Sequence, residues 1–275
     1  MSESPDFTAV ANTVTVIAGD GYPLAVHRFE PQQPSIGCVV LLHGVVSHAE
    51  WLTPIAQRLA AQGLLVICPD RRGTGRNTRA PGDAPDGQTL IDDVVSIVGS
   101  QCPDDVPLHL GGFCWGATYM INVMLADTLG AQTLIMIAPS IFPATDVAGA
   151  ELHVGDSAEA TEVPNVPIDR FTDGPAYEAF IVPDTRRTHY VSPRFNSILV
   201  QMNRMLAPRW AKLGVPTLMV LAQDDRLSDS DKHARAFATL RVDDKRCVIL
   251  AGQHGLQFDA PDATADAICA WVKRQ

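Results

Sequence analysis

Short apolar runs alternate along the chain with longer stretches in which apolar residues recur every three to four positions. The runs at 38–42, 64–68, 106–110, 132–138, 216–221 and 246–250 have the length and character of strands buried on both faces. Between them, 51–62, 89–99, 229–239 and 261–273 carry helical spacing. So does the stretch after residue 114, where Ala117, Met120, Ile121, Met124 and Leu125 share a face. Pro54 falls in the first turn of the first helix and Gly63 just past its end, while Thr89-x-x-Asp92 has the form of a capping box opening the second. Strands at 13–18 and 23–28 make a leading hairpin. The alternation predicts an α/β fold with a mostly parallel sheet covered by helices on both faces.

Residues 141–204 break this rhythm. Pro, acidic and small residues dominate as far as Pro167, and helical spacing resumes at Ser192–Leu206 with Ile198, Met202 and Leu206 aligned. The predicted organisation is a core of 1–140 and 205–275 with an insertion at 141–204. The stretch 145–166 reads either as packed insertion or as chain without fixed structure.

Composition narrows the function classes. A net charge of −10 argues against nucleic acid and anionic membrane surfaces as partners, because both require basic footprints. The apolar runs are far shorter than the ~20 residues of a membrane helix, and Met1–Asp6 lacks the basic and apolar regions of a secretion signal. Cysteines at 38, 68, 102, 114, 247 and 269 form no C-x-x-C or Cys/His cluster, so no metal or cofactor is predicted. Reduced thiols in a cytoplasmic protein are the expectation. Cys38, Cys68 and Cys247 fall in predicted core strands and Cys269 on the apolar face of the last helix. His153, His189 and His233 lie in polar segments and are expected at the surface.

Cys114 stands apart from the other thiols. Gly112-Phe113-Cys114-Trp115-Gly116 has the G-x-C-x-G form of a nucleophile elbow, set between a predicted strand and a predicted helix. Glycines two positions either side of a sharp strand-to-helix turn remove Cβ atoms that would strike the crossing backbone. Downstream, the strand at 216–221 runs into Asp224-Asp225, and the strand at 246–250 into Gln253-His254. An acid and a His beyond successive strands converge on the edge where open α/β sheets bind ligands. There His254 takes the thiol proton and forms an ion pair with the thiolate. A carboxylate fixes the imidazole; Asp225 is favoured and Asp224 is the alternative. His43-Gly44-Val45 follows another buried strand.

With these residues in view, the chain resembles the α/β-hydrolase superfamily, and its N-terminal half looks most like the monoacylglycerol lipase and serine aminopeptidase branch. The likeness rests on the hairpin at Gly19–Leu24, on His43-Gly44, on Ala56 to Gly63, and on Cys68–Asn77, where Asn77 replaces a family serine. The cysteine elbow is similar to that of dienelactone hydrolases and polyhydroxyalkanoate synthases. The resemblance implies that 141–204 is a cap over the active site and that the N–H groups of Val45 and Trp115 are the oxyanion donors. It also implies a Cys114–His254–Asp225 triad in a branch that ordinarily carries serine, so the chain is either a working cysteine enzyme or a retired serine one. Arg71, Arg72 and Arg76 have forks that match a carboxylate or phosphate. The family loop carries an arginine without that role, and at least two of the three read as structural or solvated.

The expected reaction is hydrolysis of an activated acyl compound (ester, lactone or thioester, including a carrier-protein or CoA thioester) through a thioacyl intermediate. Acyl transfer, elimination by the His254/Asp225 pair, and small-molecule binding without turnover remain as alternatives. Seventeen Arg against four Lys fit a high-GC bacterial coding source, which points toward specialised metabolism. The oligomeric state is left open.

Overall fold

The structure is a computed structural model and describes residues 12–144, 161–162 and 168–275; the readings of Met1–Asp6, of His153 and of 145–166 apart from 161–162 lie outside the described residues. Strands β1 (Asn12–Ile17), β2 (Pro23–Phe29), β3 (Cys38–Leu42), β4 (Leu65–Pro69), β5 (Leu108–Phe113) and β6 (Thr133–Ile137) precede the insertion. Strands β9 (Thr217–Ala222) and β10 (Lys245–Leu250) follow it. These eight form one sheet in the order β1-β2-β4-β3-β5-β6-β9-β10. The hairpin β1/β2 and the β2/β4 pair are antiparallel and every other pair is parallel.

The reason these strands read as unbroken apolar runs is visible in β3. Cys38, Val40 and Leu42 pack with Leu90, Val94 and Ile97 of α2 (Gly87–Gln101) and with Met120 and Ile121 of α3 (Trp115–Ala126). Val39 and Leu41 pack on the opposite face with Ile55 and Leu59 of α1 (Thr53–Ala61) and Ile268 and Trp271 of α9 (Pro261–Val272). Both pleat faces meet helices, so both need apolar side chains. Helix α3 is buried along Trp115–Val123 rather than on one stripe. Helices α7 (Ser230–Ala238) and α8 (Leu256–Asp259) complete the core.

Three expectations are corrected. The second helix begins at Gly87, capped by Asp86, whose side chain accepts from the Thr89 N–H; Thr89 therefore sits inside the first turn instead of capping it. His233 is buried, because its Nδ1 bonds the Asp229 carbonyl one turn back at 2.8 Å and its Nε2 accepts from the Phe142 N–H at 3.2 Å. Cys247 is exposed, because β10 is the edge strand and lacks a second neighbour.

Between β6 and β9, the insertion contains the short pair β7 (Thr161–Glu162) and β8 (Tyr190–Val191), with helices α4 (Pro175–Ile181), α5 (Pro193–Arg204) and α6 (Leu206–Arg209). An aromatic cluster fixes it to the core: Trp51 meets Phe171, Phe180 and Phe258 at centroid separations of 6.0, 6.5 and 5.6 Å. Asp184 adds a polar clasp, accepting from Trp51 Nε1 at 2.7 Å and pairing with His48 Nε2 at 2.8 Å. Among the described residues no helix is long and apolar enough to cross a membrane.

Candidate active site

The carboxyl ends of β3, β5, β6, β9 and β10 deliver His43, Cys114, Ser140, Asp225 and His254 to one edge of the sheet. At the turn itself Cys114 adopts φ 56°, ψ −125°, a strained conformation for a residue with a Cβ. Two close approaches hold it there. A Cβ at Gly112 would strike the Gly116 carbonyl, and one at Gly116 would strike the carbonyls of Leu42 and His43. The elbow therefore closes only with glycine at both positions. Gly44 faces the sulfur, since a Cβ added there would lie 3.3 Å from Cys114 Sγ.

His254 is almost wholly buried, with its ring edge-on to Phe113 and Phe171 at 6.0 Å each. Its Nδ1 bonds Asp225 Oδ2 at 2.9 Å, while the other Asp225 oxygen accepts the N–H groups of Leu227 and Ser228 at 2.8 Å each. Asp224 is exposed and reaches the site only through its backbone N–H, which bonds the Gly252 carbonyl. Burial disfavours charge on both Asp225 and His254, yet each offsets this for the other: the carboxyl stays below its ordinary range and the imidazole well above.

Burial pushes the Cys114 thiol up, but the charge of His254, hydrogen bonding from His254 and Ser140, and the Trp115 N–H outweigh it and hold the thiol below its ordinary range. The hydrogen bond from His254 is loose, since Nε2 is buried without a partner at full hydrogen-bond geometry. Both shifts act in the direction of a thiolate–imidazolium pair. The Val45 and Trp115 N–H groups are taken by no backbone carbonyl among the described residues. Neighbouring His43 is structural: its Nδ1 bonds the Gly44 carbonyl at 2.8 Å and its Nε2 accepts from the Arg71 N–H at 3.0 Å. Burial and the Arg71 charge push its pKa down to about 3, so it stays neutral. Among the described residues no group of three or more His, Cys, Asp or Glu side chains is placed to hold a metal ion.

Sequence reasoning missed two residues here. Ser140 sits beyond β6, next to the elbow strand, and its position just past an apolar run was the only signal for it. Arg71 reads in sequence like its two arginine neighbours. Of the three arginines, Arg72 is buried in ion pairs and Arg76 is half-exposed against Glu50, but Arg71 is buried with two guanidinium nitrogens unpartnered.

A mostly parallel eight-stranded sheet with an elbow after β5, an acid after β9 and a His after β10 is the architecture of an α/β-hydrolase. More narrowly, the chain belongs to the serine aminopeptidase, S33, family, whose model matches residues 33–261. It is 24% identical over 267 residues to a monoacylglycerol lipase of Mycolicibacterium smegmatis, covering 92% of this chain and 93% of that protein. A soluble variant of monoglyceride lipase from Saccharomyces cerevisiae, solved with a substrate analogue, superposes with a TM-score of 0.87 at 19% identity, covering 100% and 98% of the two chains. A Paleococcus ferrophilus monoacylglycerol lipase gives 0.77 at 17% identity, covering 90% and 98%. The family is named for serine enzymes, and this chain carries Cys114 on its elbow.

Proposed function

We propose that the chain is a cysteine-dependent ester hydrolase. The observation that carries this is the elbow sulfur facing an imidazole whose Nδ1 the buried Asp225 holds at 2.9 Å, an arrangement that lowers the thiol pKa and raises that of the imidazole. The Cys114 thiolate attacks the ester carbonyl carbon, and the oxyanion is received by the N–H groups of Val45 and Trp115. As the C–O bond to the alcohol breaks, the Nε2–H of His254 protonates the departing oxygen and the acyl group stays on sulfur as a thioester. Neutral His254 then takes a proton from water, the resulting hydroxide attacks the thioester, and the acid leaves. Thiolate and imidazolium are regenerated together. A thiolate leaves a tetrahedral adduct more readily than an amide nitrogen does, so oxygen esters, lactones and thioesters are the favoured substrates.

Residues 141–204 act as the cap in this reading, with Phe171 shielding the imidazole from water. The lipase relatives support a fatty or other carboxylic ester as substrate. Acyl transfer is the second reading, favoured by the burial of His254, because a dry thioester waits for an acceptor other than water. The test is turnover of 4-nitrophenyl esters and of a monoacylglycerol by wild type and Cys114→Ala, with and without an added amine or thiol. Hydrolysis by wild type alone supports the first reading. Clearance that needs the acceptor supports the second. Full turnover by Cys114→Ala ends both.

A further inference from the structure

Arg71 and Arg72 are consecutive and equally sealed in the interior, at 2% and 4% exposure, yet only one has its charge met. Arg72 fills both of its forked edges, one with Asp93 at 2.9 and 2.6 Å and the other with Asp20 at 2.8 and 3.1 Å. Among the described residues Arg71 pairs with no carboxylate. Its side chain makes one hydrogen bond, from Nη2 to the Val45 carbonyl at 3.2 Å, while Nε and Nη1 are buried without a partner. A guanidinium has two such edges, each combining one Nη2 proton with Nε–H or with an Nη1 proton. With one Nη2 proton given to Val45, the other edge keeps both of its protons free.

The surroundings are built to hold a cation without satisfying it. Phe195 of α5 lies 4.2 Å from the guanidinium carbon, and the Trp115 ring lies 5.7 Å from it. Aromatic faces stabilise the charge but take no in-plane hydrogen bond. Trp115 Nε1, a pure donor on that ring, is itself buried without a partner. Burial pushes the pKa of Arg71 down to about 10, so it is still charged at neutral pH. Two donor-only groups thus meet where the Val45 carbonyl is the one acceptor Arg71 uses among the described residues, an arrangement an anion would complete.

We propose that Arg71, with the Trp115 indole N–H, binds a carboxylate or phosphate carried by the substrate, making this an enzyme for anionic esters. The proposal rests on the ester-hydrolase reading above. Val45 and Trp115 both touch Arg71 and both carry the oxyanion donors of that reading, so the anion binds within one small substrate's reach of the reacting carbonyl.

The test compares two matched pairs in wild type, Arg71→Met and Arg71→Lys. An acyl-side anion is probed with 4-nitrophenyl hydrogen glutarate against 4-nitrophenyl pentanoate. An alcohol-side anion is probed with a monoacylglycerol phosphate against the monoacylglycerol. Wild type is expected to favour the anionic member of one pair by roughly ten- to hundredfold in kcat/KM, and which pair responds identifies the source of the anion. The ratio falls to about one in Arg71→Met and is partly kept in Arg71→Lys. Equal rates in both pairs for wild type, or a preference undiminished in Arg71→Met, would overturn the proposal. A melting temperature of Arg71→Met well below wild type would instead make Arg71 a structural residue. Calorimetry on Cys114→Ala separates this idea from the hydrolase reading, because monomethyl glutarate binds more tightly than dimethyl glutarate only if Arg71 recognises the anion, whether or not any ester is turned over.

Discussion

Two neighbouring loops at the carboxyl edge of the sheet treat their polar groups in opposite ways. After β4, the Asp70–Asn77 loop is closed. Asp70 accepts the Ala49 and Arg76 N–H groups at 2.8 Å each, Asn77 bonds the Ala25 N–H and the Asp70 carbonyl at 2.8 Å each, and Arg72 has a carboxylate on both edges. After β5, the elbow and what faces it are open: His254 Nε2, Trp115 Nε1 and Arg71 Nε and Nη1 are buried with no partner at full hydrogen-bond geometry among the described residues. Unsatisfied buried donors are costly, and each calls for a partner such as water, an ion or a ligand. The closed network holds the structure together, and in the proposal above the open one receives the substrate's anion. Arg71 belongs to the first loop by sequence and faces the second.

The comparison breaks most sharply at the open loop. Cys114→Ala is expected to lower ester turnover by about 10⁴-fold or more, leaving only what binding and the oxyanion donors supply, as measured by initial rates. Asp225→Asn should cost on the order of 10³ to 10⁴ in kcat, because the imidazole loses the charge that keeps it protonated and oriented. The same rates measured against pH should give a bell. Its acid limb, from Cys114, lies below the ordinary thiol value of 9.0, and its alkaline limb, from His254, lies above 6.5. Between them the ion pair persists. A Cys114→Ser variant needs neutral His254 as base, so its activity should instead rise with pH.

Damage to the closed loop should appear as instability, with the chemistry spared. Asp93→Ala strips one edge of a buried guanidinium and should cost about 3 kcal/mol in urea unfolding, since Asp20 still holds the other edge. The Asp184 clasp is expected to be worth less, about 1–2 kcal/mol on Asp184→Asn. Burial would raise its carboxyl, but hydrogen bonds from His48 and Trp51 pull the pKa down to about 2. Its contribution is therefore full above the ordinary 3.8 and is lost as pH falls toward 2, a loss absent from the Asp184→Asn unfolding curve.

What the sequence made legible follows the same division. Strands with two apolar faces, such as β3, announce a doubly covered sheet, and the glycines around Cys114 announce the turn because no other residue fits there. The edge strand β10 looked like its neighbours, so Cys247 was placed inside; sheet order, which no single segment encodes, puts it outside. Asp86 was overlooked as a cap because Thr89 and Asp92 imitate a capping box three residues on. His233 is buried through bonds to a carbonyl on its own helix and to Phe142, a residue far away in the chain. Arg71 and Arg72 are indistinguishable in sequence, and only the positions of Asp20, Asp93 and Phe195 separate them.

If sulfur carries the acyl group, the adduct can be caught on it. Wild-type enzyme mixed with excess 4-nitrophenyl ester and quenched in acid within the first turnovers should gain the mass of one acyl group, located on the peptide containing Cys114 and released by hydroxylamine. Steady turnover with no adduct on that peptide, and undiminished in Cys114→Ala, would contradict acylation at sulfur.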